Sequence, residues 1–193
     1  MLARQQVLAR TLHAHNLSAY ISEPSPTSLY LFNISASTWR LSERPFMFVL
    51  TPDVVDGKVE ARVSVVVPQF EEARARDQAG VVVGEGVKWV GWEESEGAYG
   101  KVAGVFGGKG GRVVVDEAMR VGVMSGIQKA LRERRQEMGK DGWTVEVATK
   151  EIKSLRERKS KEELELLKCA NEVSLGPQTG CVHQSSLLAP WPT

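Results

Sequence analysis

The chain has 193 residues, 42% of them hydrophobic, and its 25 Lys plus Arg against 24 Asp plus Glu leave a formal net charge of +1. This length can bury one proper core and suits one domain with an appendage. The charge balance gives no electrostatic pull toward nucleic acid or an anionic membrane, and no apolar run approaches the roughly 20 residues of a bilayer-crossing helix, so neither partner is expected.

The opening stretch, Met1 to Tyr20, carries basic residues and no acid before Glu23, a composition shared with mitochondrial transit peptides. Val7, Leu8 and Leu12 lie on one helical face, and Asn16 can stop a helix in the left-handed region. The stretch therefore reads as the first helix of the domain, and the expected compartment is the cytoplasm. Leu17 to Ser22 reads as a strand. Pro24 and Pro26 then break the backbone before a short apolar helix or turn in Thr27 to Ser35.

Phe46 to Leu50 and Val59 to Val67 flank Asp56-Gly57, the strongest short hairpin signal in the chain. In the second strand Val59, Ala61, Val63, Val65 and Val67 alternate with Glu60, Arg62 and Ser64, so one face is covered and the other partly wet. Pro68 ends it. Phe70 to Gln78 reads as helix, Val81 to Val83 as a short strand or a loop, Val87 to Trp92 as a strand, and Ala98 to Phe106 as a helix. After the glycines at 107, 108, 110 and 111, Val113 to Val115 reads as a buried strand, with Asp116 as a helix-starting acid before a helix to about Met138. Trp143 to Thr149 supplies a last strand. Strands alternating with helices, plus one hairpin, predict an α/β domain with a mixed β-sheet and helices on both faces.

Several motifs of chemistry fail on spacing. The glycine run around Lys109 lacks the four-residue gap and the Ser or Thr of a phosphate loop, and Gly84-Glu85-Gly86 lacks the third glycine of a dinucleotide fingerprint. His13 and His15, two apart on a helix, point away from each other, and His183 has no nearby Cys or acid cluster. Cys169 and Cys181 make neither a zinc spacing nor a disulfide framework and read as reduced thiols.

The last organised stretch is Glu151 to Val173. Ser160 with Glu163 three residues on makes a capping box, so a helix restarts there. Leu166, Leu167, Ala170 and Val173 recur at helical spacing and form an apolar stripe that needs a cover. The order Ile152, Leu155-Arg156, Lys159-Ser160, Glu163-Leu164, Leu167 and Ala170-Asn171 resembles the joint of the creatinase, prolidase and Xaa-Pro aminopeptidase family. In that family the joint links an N-terminal α/β domain to a pita-bread catalytic domain. Thr27 to Ser35 also resembles a family segment, although Asn33 stands where glycine is usual.

The resemblance implies a ribonuclease-H-like topology for residues 1–150 and a linker and first helix of the pita-bread domain at 151–173, whereas Gly176-Pro177 and the Ser-, Pro- and Gly-rich composition after them make 174–193 read as a disordered tail. It implies hydrolysis assisted by two Mn, Zn or Co ions. Their ligands would lie in the pita-bread domain, so this chain is expected to hold no catalytic residue, metal or cofactor. An early stop, an alternative splice or a retained intron would account for such a chain.

The resemblance further implies dimerisation and an N-terminal domain leaning over the partner's active site. Trp39, Arg40 and Trp92 are the candidates for substrate contact, and Leu166, Leu167, Ala170 and Val173 for an interface. The expected partner is a second copy or a full-length homologue. A stand-alone peptide- or protein-binding module derived from a pseudoenzyme is the alternative.

Overall fold

The computed structural model describes residues 2–34, 36–83, 86–106, 110–138 and 142–175. They divide into two compact units, Met1–Arg156 and Glu157–Thr193. The glycine run at 107–109, Gly84-Glu85 and the tail from 176, including Cys181 and His183, lie outside the described residues.

In the first unit the elements run α1 (Leu2–Ala14), β1 (Ala19–Ser22), α2 (Pro26–Phe32), β2 (Met47–Val55) and β3 (Lys58–Pro68). A 3-10 turn (Gln69–Glu71), α3 (Glu72–Val83), β4 (Lys88–Trp92), α4 (Ala98–Val105), β5 (Gly111–Val115), α5 (Val121–Met138), β6 (Trp143–Val147) and α6 (Lys150–Glu157) follow. The strands make one mixed sheet in the order β4-β3-β2-β1-β5-β6. β2 is antiparallel to β1 and β3, while β1–β5, β5–β6 and β3–β4 are parallel.

Alternation along the strands builds two cores. Tyr20, Phe48, Leu50, Val63, Val65, Val67 and Val114 face one way and meet α1, α2, α3 and α6 through Leu8, Leu12, Phe32, Ala75 and Ile152. Ile21, Met47, Val49, Val66, Val113 and Val115 face the other way and meet α4 and α5 through Val102, Val123, Ile127 and Leu131. The period-2 pattern read from sequence thus covers both faces of the sheet.

The hairpin turn has the left-handed backbone its sequence demands, with Asp56 at φ 50° and Gly57 at φ 74°. Asn33 is the C-cap of α2 at φ 57°, so asparagine does here what glycine does elsewhere, because its short side chain tolerates this region. Asn16 likewise stops α1 at φ 53°.

Three readings are corrected. Val81 to Val83 continue α3 as helix. Asp116 does not start a helix: α5 begins at Val121, and the Asp116 carboxylate instead accepts from the Ala118 amide in the turn before it. Val7 is exposed, and Gln5 and Ala9 join Leu8 and Leu12 on the buried face of α1. The first unit runs to Arg156, with Ile152 buried and Leu155 packed beside it.

In the second unit, α7 (Lys161–Leu175) opens with the capping box read from sequence. The Ser160 amide donates to Glu163 Oε2 at 2.8 Å and the Glu163 amide to Ser160 Oγ at 3.2 Å. Among the described residues no helix is long and apolar enough to cross a membrane.

Candidate functional site

β1 hands the chain to α2 on one face of the sheet, whereas its parallel neighbour β5 hands it to α5 on the other. Such a divergence opens a crevice outside the carboxyl ends of the strands, the usual place for a site in an α/β sheet. The carboxyl ends of β3 and β4 and the start of the antiparallel β2 lie at the same rim. Residues 33–46 cross it as a loop between α2 and β2.

Two buried carboxylates anchor this rim. Glu23, only 2% exposed, accepts from Arg120 Nε at 3.1 Å, from Arg120 Nη2 at 2.5 Å and from the Arg120 amide at 3.2 Å. The same guanidinium donates to Ser42 O in the crossing loop. Its hydrogen bond to Glu23 makes the proton of Arg120 harder to remove, and burial with the Glu23 charge nearby raises the Tyr99 pKa. Asp116, also buried, accepts from Ser25 Oγ. Ser25 caps α2, with its hydroxyl accepting from the Ser28 amide at 3.1 Å, and Ser28 Oγ donates to Ile34 O at 2.6 Å. Tyr20 lies beside Asp116, and burial, then that charge, pushes its phenol well above the ordinary value.

The three candidate contact residues all come to this rim. Trp39 is buried, stacked on Phe46 with centroids 4.3 Å apart, and Arg74 lies 4.4 Å above its ring. Trp92 is buried against the opposite core, and its Nε1 donates to Pro45 O at 3.2 Å. The two indoles thus grip consecutive residues, Pro45 and Phe46, from the two sides of the sheet. Arg40 is exposed. Arg44 Nε donates to Glu94 at 2.6 Å and fastens the loop again.

What the rim turns outward is Arg40 with Leu41, 41% exposed, Phe70, 68% exposed, and Val121, 79% exposed. Sequence reading missed Glu23, Arg120 and Asp116, because partners 97 and 91 residues apart leave no spacing to read. The local signal available was Ser25-Pro26 with Ser28, a helix start. Among the described residues no group of three His, Cys, Asp or Glu side chains is placed to hold a metal ion. Ser25 and Ser28 are held in the cap of α2 and the two acids in an ion pair and a turn, while the buried Ser22 hydroxyl at the end of β1 has no hydrogen-bond partner. This geometry fixes a loop and displays a surface.

On α7, Leu166 is 61% and Leu167 47% exposed, Leu164 is exposed beside them, and Ala170 is exposed as well. The side chain of Val173 lies outside the described residues.

No protein-family model matches the chain. It is 29% identical over 170 residues to an uncharacterized peptidase of Schizosaccharomyces pombe, a match covering 87% of this chain and 34% of that protein. The chain therefore spans about a third of the length of the curated relative it matches. Among solved structures it is similar to the dipeptidase PepE of Mycobacterium ulcerans, with TM-score 0.62, 20% identity, and coverage of 88% of this chain and 40% of that one. It is also similar to a proline dipeptidase structure from Streptococcus pneumoniae, with TM-score 0.57, 19% identity, and coverage of 82% and 100%. A creatinase/prolidase N-terminal domain of an X-Pro dipeptidase from Streptococcus pyogenes matches with TM-score 0.55, 15% identity, and coverage of 80% and 99%. The chain has the fold of a creatinase/prolidase N-terminal domain, as its joint sequence led us to expect, and resembles a peptidase in sequence.

Proposed function

We propose that this chain is the noncatalytic N-terminal part of a cytoplasmic Xaa-Pro aminopeptidase- or dipeptidase-like metallopeptidase, serving dimerisation and substrate gating. The observation that carries the reading is the match along nearly all of an isolated creatinase/prolidase N-terminal domain, against only 40% of a longer dipeptidase. The fastened loop supports it further. Buried contacts hold residues 33–46 from both sides of the sheet and leave Arg40 and Leu41 outward, as an element that contacts a substrate or a second subunit requires.

In this reading the leucines of α7 are the association surface. Burying one leucine fully is worth roughly 1.5–3 kcal/mol, so Leu166 and Leu167 supply enough drive for a symmetric pair. Light scattering tests this. The chain is expected to be a dimer that Leu166→Glu with Leu167→Glu converts to monomer while the first unit stays folded. A wild-type chain that is monomeric at high micromolar concentration contradicts it.

A further inference from the structure

The second half of β3 is paired on both sides, by β2 and by β4, but β4 begins only at Ser64↔Lys88. From Lys58 to Val63 the strand has β2 on one edge and, among the described residues, no strand on the other. An unpaired edge is a template for another extended chain.

One side chain already imitates such a chain. Gln6 of α1 donates through Nε2 to Val59 O and accepts through Oε1 from the Ala61 amide at 3.1 Å. Taking one carbonyl and, two residues on, one amide is what a residue of an adjoining parallel strand does. The Gln6 carboxamide therefore stands in for a backbone residue. Beside it is an open cavity of about 430 Å³, lined by Gln6, Arg10, Lys58, Val59 and Glu60.

We propose that this edge is a peptide-binding site, independent of the rim and of the α7 leucines, which takes a short extended segment in place of the Gln6 carboxamide. The edge also specifies the segment. Val59 and Ala61 face the core under α1, so alternate residues of the ligand are apolar. Lys58, Glu60 and Arg62 are exposed on the other face; Lys58 and Glu60 call for acid and base opposite them, and an acid opposite Arg62 would share a guanidinium that already donates to Asp53 of β2. A second copy of the same edge fits less well. Two-fold antiparallel pairing centred on Glu60 sets Glu60 against its own copy and Lys58 against Arg62, like charges directly opposite; centred on Ala61 it sets Glu60 against Arg62 but brings Lys58 to Ser64, where β4 already pairs with the strand.

Acetyl-Glu-Val-Lys-Val-Glu-amide carries this pattern in both directions and serves as the probe. Titrated into the isotopically labelled chain, it should shift the amide resonances of Val59, Ala61 and Val63. Gln6→Ala removes the intramolecular competitor and should tighten binding about fivefold, the equivalent of one hydrogen bond. The charge-reversed acetyl-Lys-Val-Glu-Val-Lys-amide should bind more weakly to both. The Gln6→Ala spectrum reports folding independently. The proposal is overturned if a folded Gln6→Ala chain binds neither peptide, if it binds both equally, or if its affinity for the first does not exceed that of the wild type.

Discussion

Helices α6 and α7 come from one continuous charged stretch, and both carry an apolar stripe, yet they end in different surroundings. α6 is drawn into the first unit: Ile152 is buried, Leu155 packs against the core, and the Tyr30 hydroxyl donates to Leu155 O at 3.1 Å. Lys153 and Arg156 both reach Glu117, at 2.7 and 3.6 Å. α7 keeps its capping box and its Glu165–Lys168 pair, but turns Leu164, Leu166 and Leu167 to solvent. An amphipathic pattern states a need for cover without saying what supplies it. In α6 the cover lies in the same unit, and in α7 we assign it to a second chain.

The contrast breaks most visibly at the apolar positions. Ile152→Ala should destabilise the first unit by about 2–4 kcal/mol in urea unfolding, as expected for a buried large-to-small change. Leu167→Ala, measured at a dilution where the chain is monomeric, should stay within about 0.5 kcal/mol. Equal losses at both sites would mean that α7 is covered as α6 is.

Next in size is Arg120→Ala, which strands the buried Glu23 carboxylate. The expected loss is about 2–3 kcal/mol, below that of a fully buried pair because the Arg120 side chain is 35% exposed. It should also free the 33–46 loop, seen as faster amide exchange at Ser42 to Arg44. Unchanged exchange there would remove Arg120 from the loop's support.

The hairpin, the alternation within the strands and the joint were legible because their signals are local. Asp56-Gly57 declares its own turn, valines alternate within one strand, and Ser160 finds Glu163 one helical turn away. Trp39 and Trp92 were singled out as aromatics near a loop, but their grip on Phe46 and Pro45 depends on the sheet bringing distant segments together. Glu23 and Arg120, 97 residues apart, carry no local signal for the same reason. Val81 to Val83 invited a strand because β-branched residues favour one, but helix α3 runs through them, a case of context overriding propensity. The edge of β3 was invisible, since it depends on where β4 stops.

Ser160→Ala sharpens the comparison from the other side. Losing the cap should cost α7 about 1 kcal/mol of helix stability, read as amide exchange within Lys161 to Lys168, with no change in the unfolding midpoint of the first unit. A shifted midpoint would tie the two units into one cooperative fold.

The smallest effect is on pH. The hydrogen bond and charge of Lys153 lower the Glu117 pKa in the folded chain, so its contribution is present above the ordinary carboxylate value of 4.5 and is lost as pH falls through the lower folded value. Lys153→Ala should erase that acid-side loss, and because the pair is exposed the change in midpoint should be slight. A variant with the same acid profile as the wild type would show that this pair does not help hold α6.

The central claim, that this chain is a noncatalytic domain, is tested most directly by measuring bound metal and Xaa-Pro dipeptide hydrolysis on the same sample after incubation with Mn, Zn or Co ions. The account predicts no stoichiometric metal and no turnover. Two ions per chain with hydrolysis would contradict it.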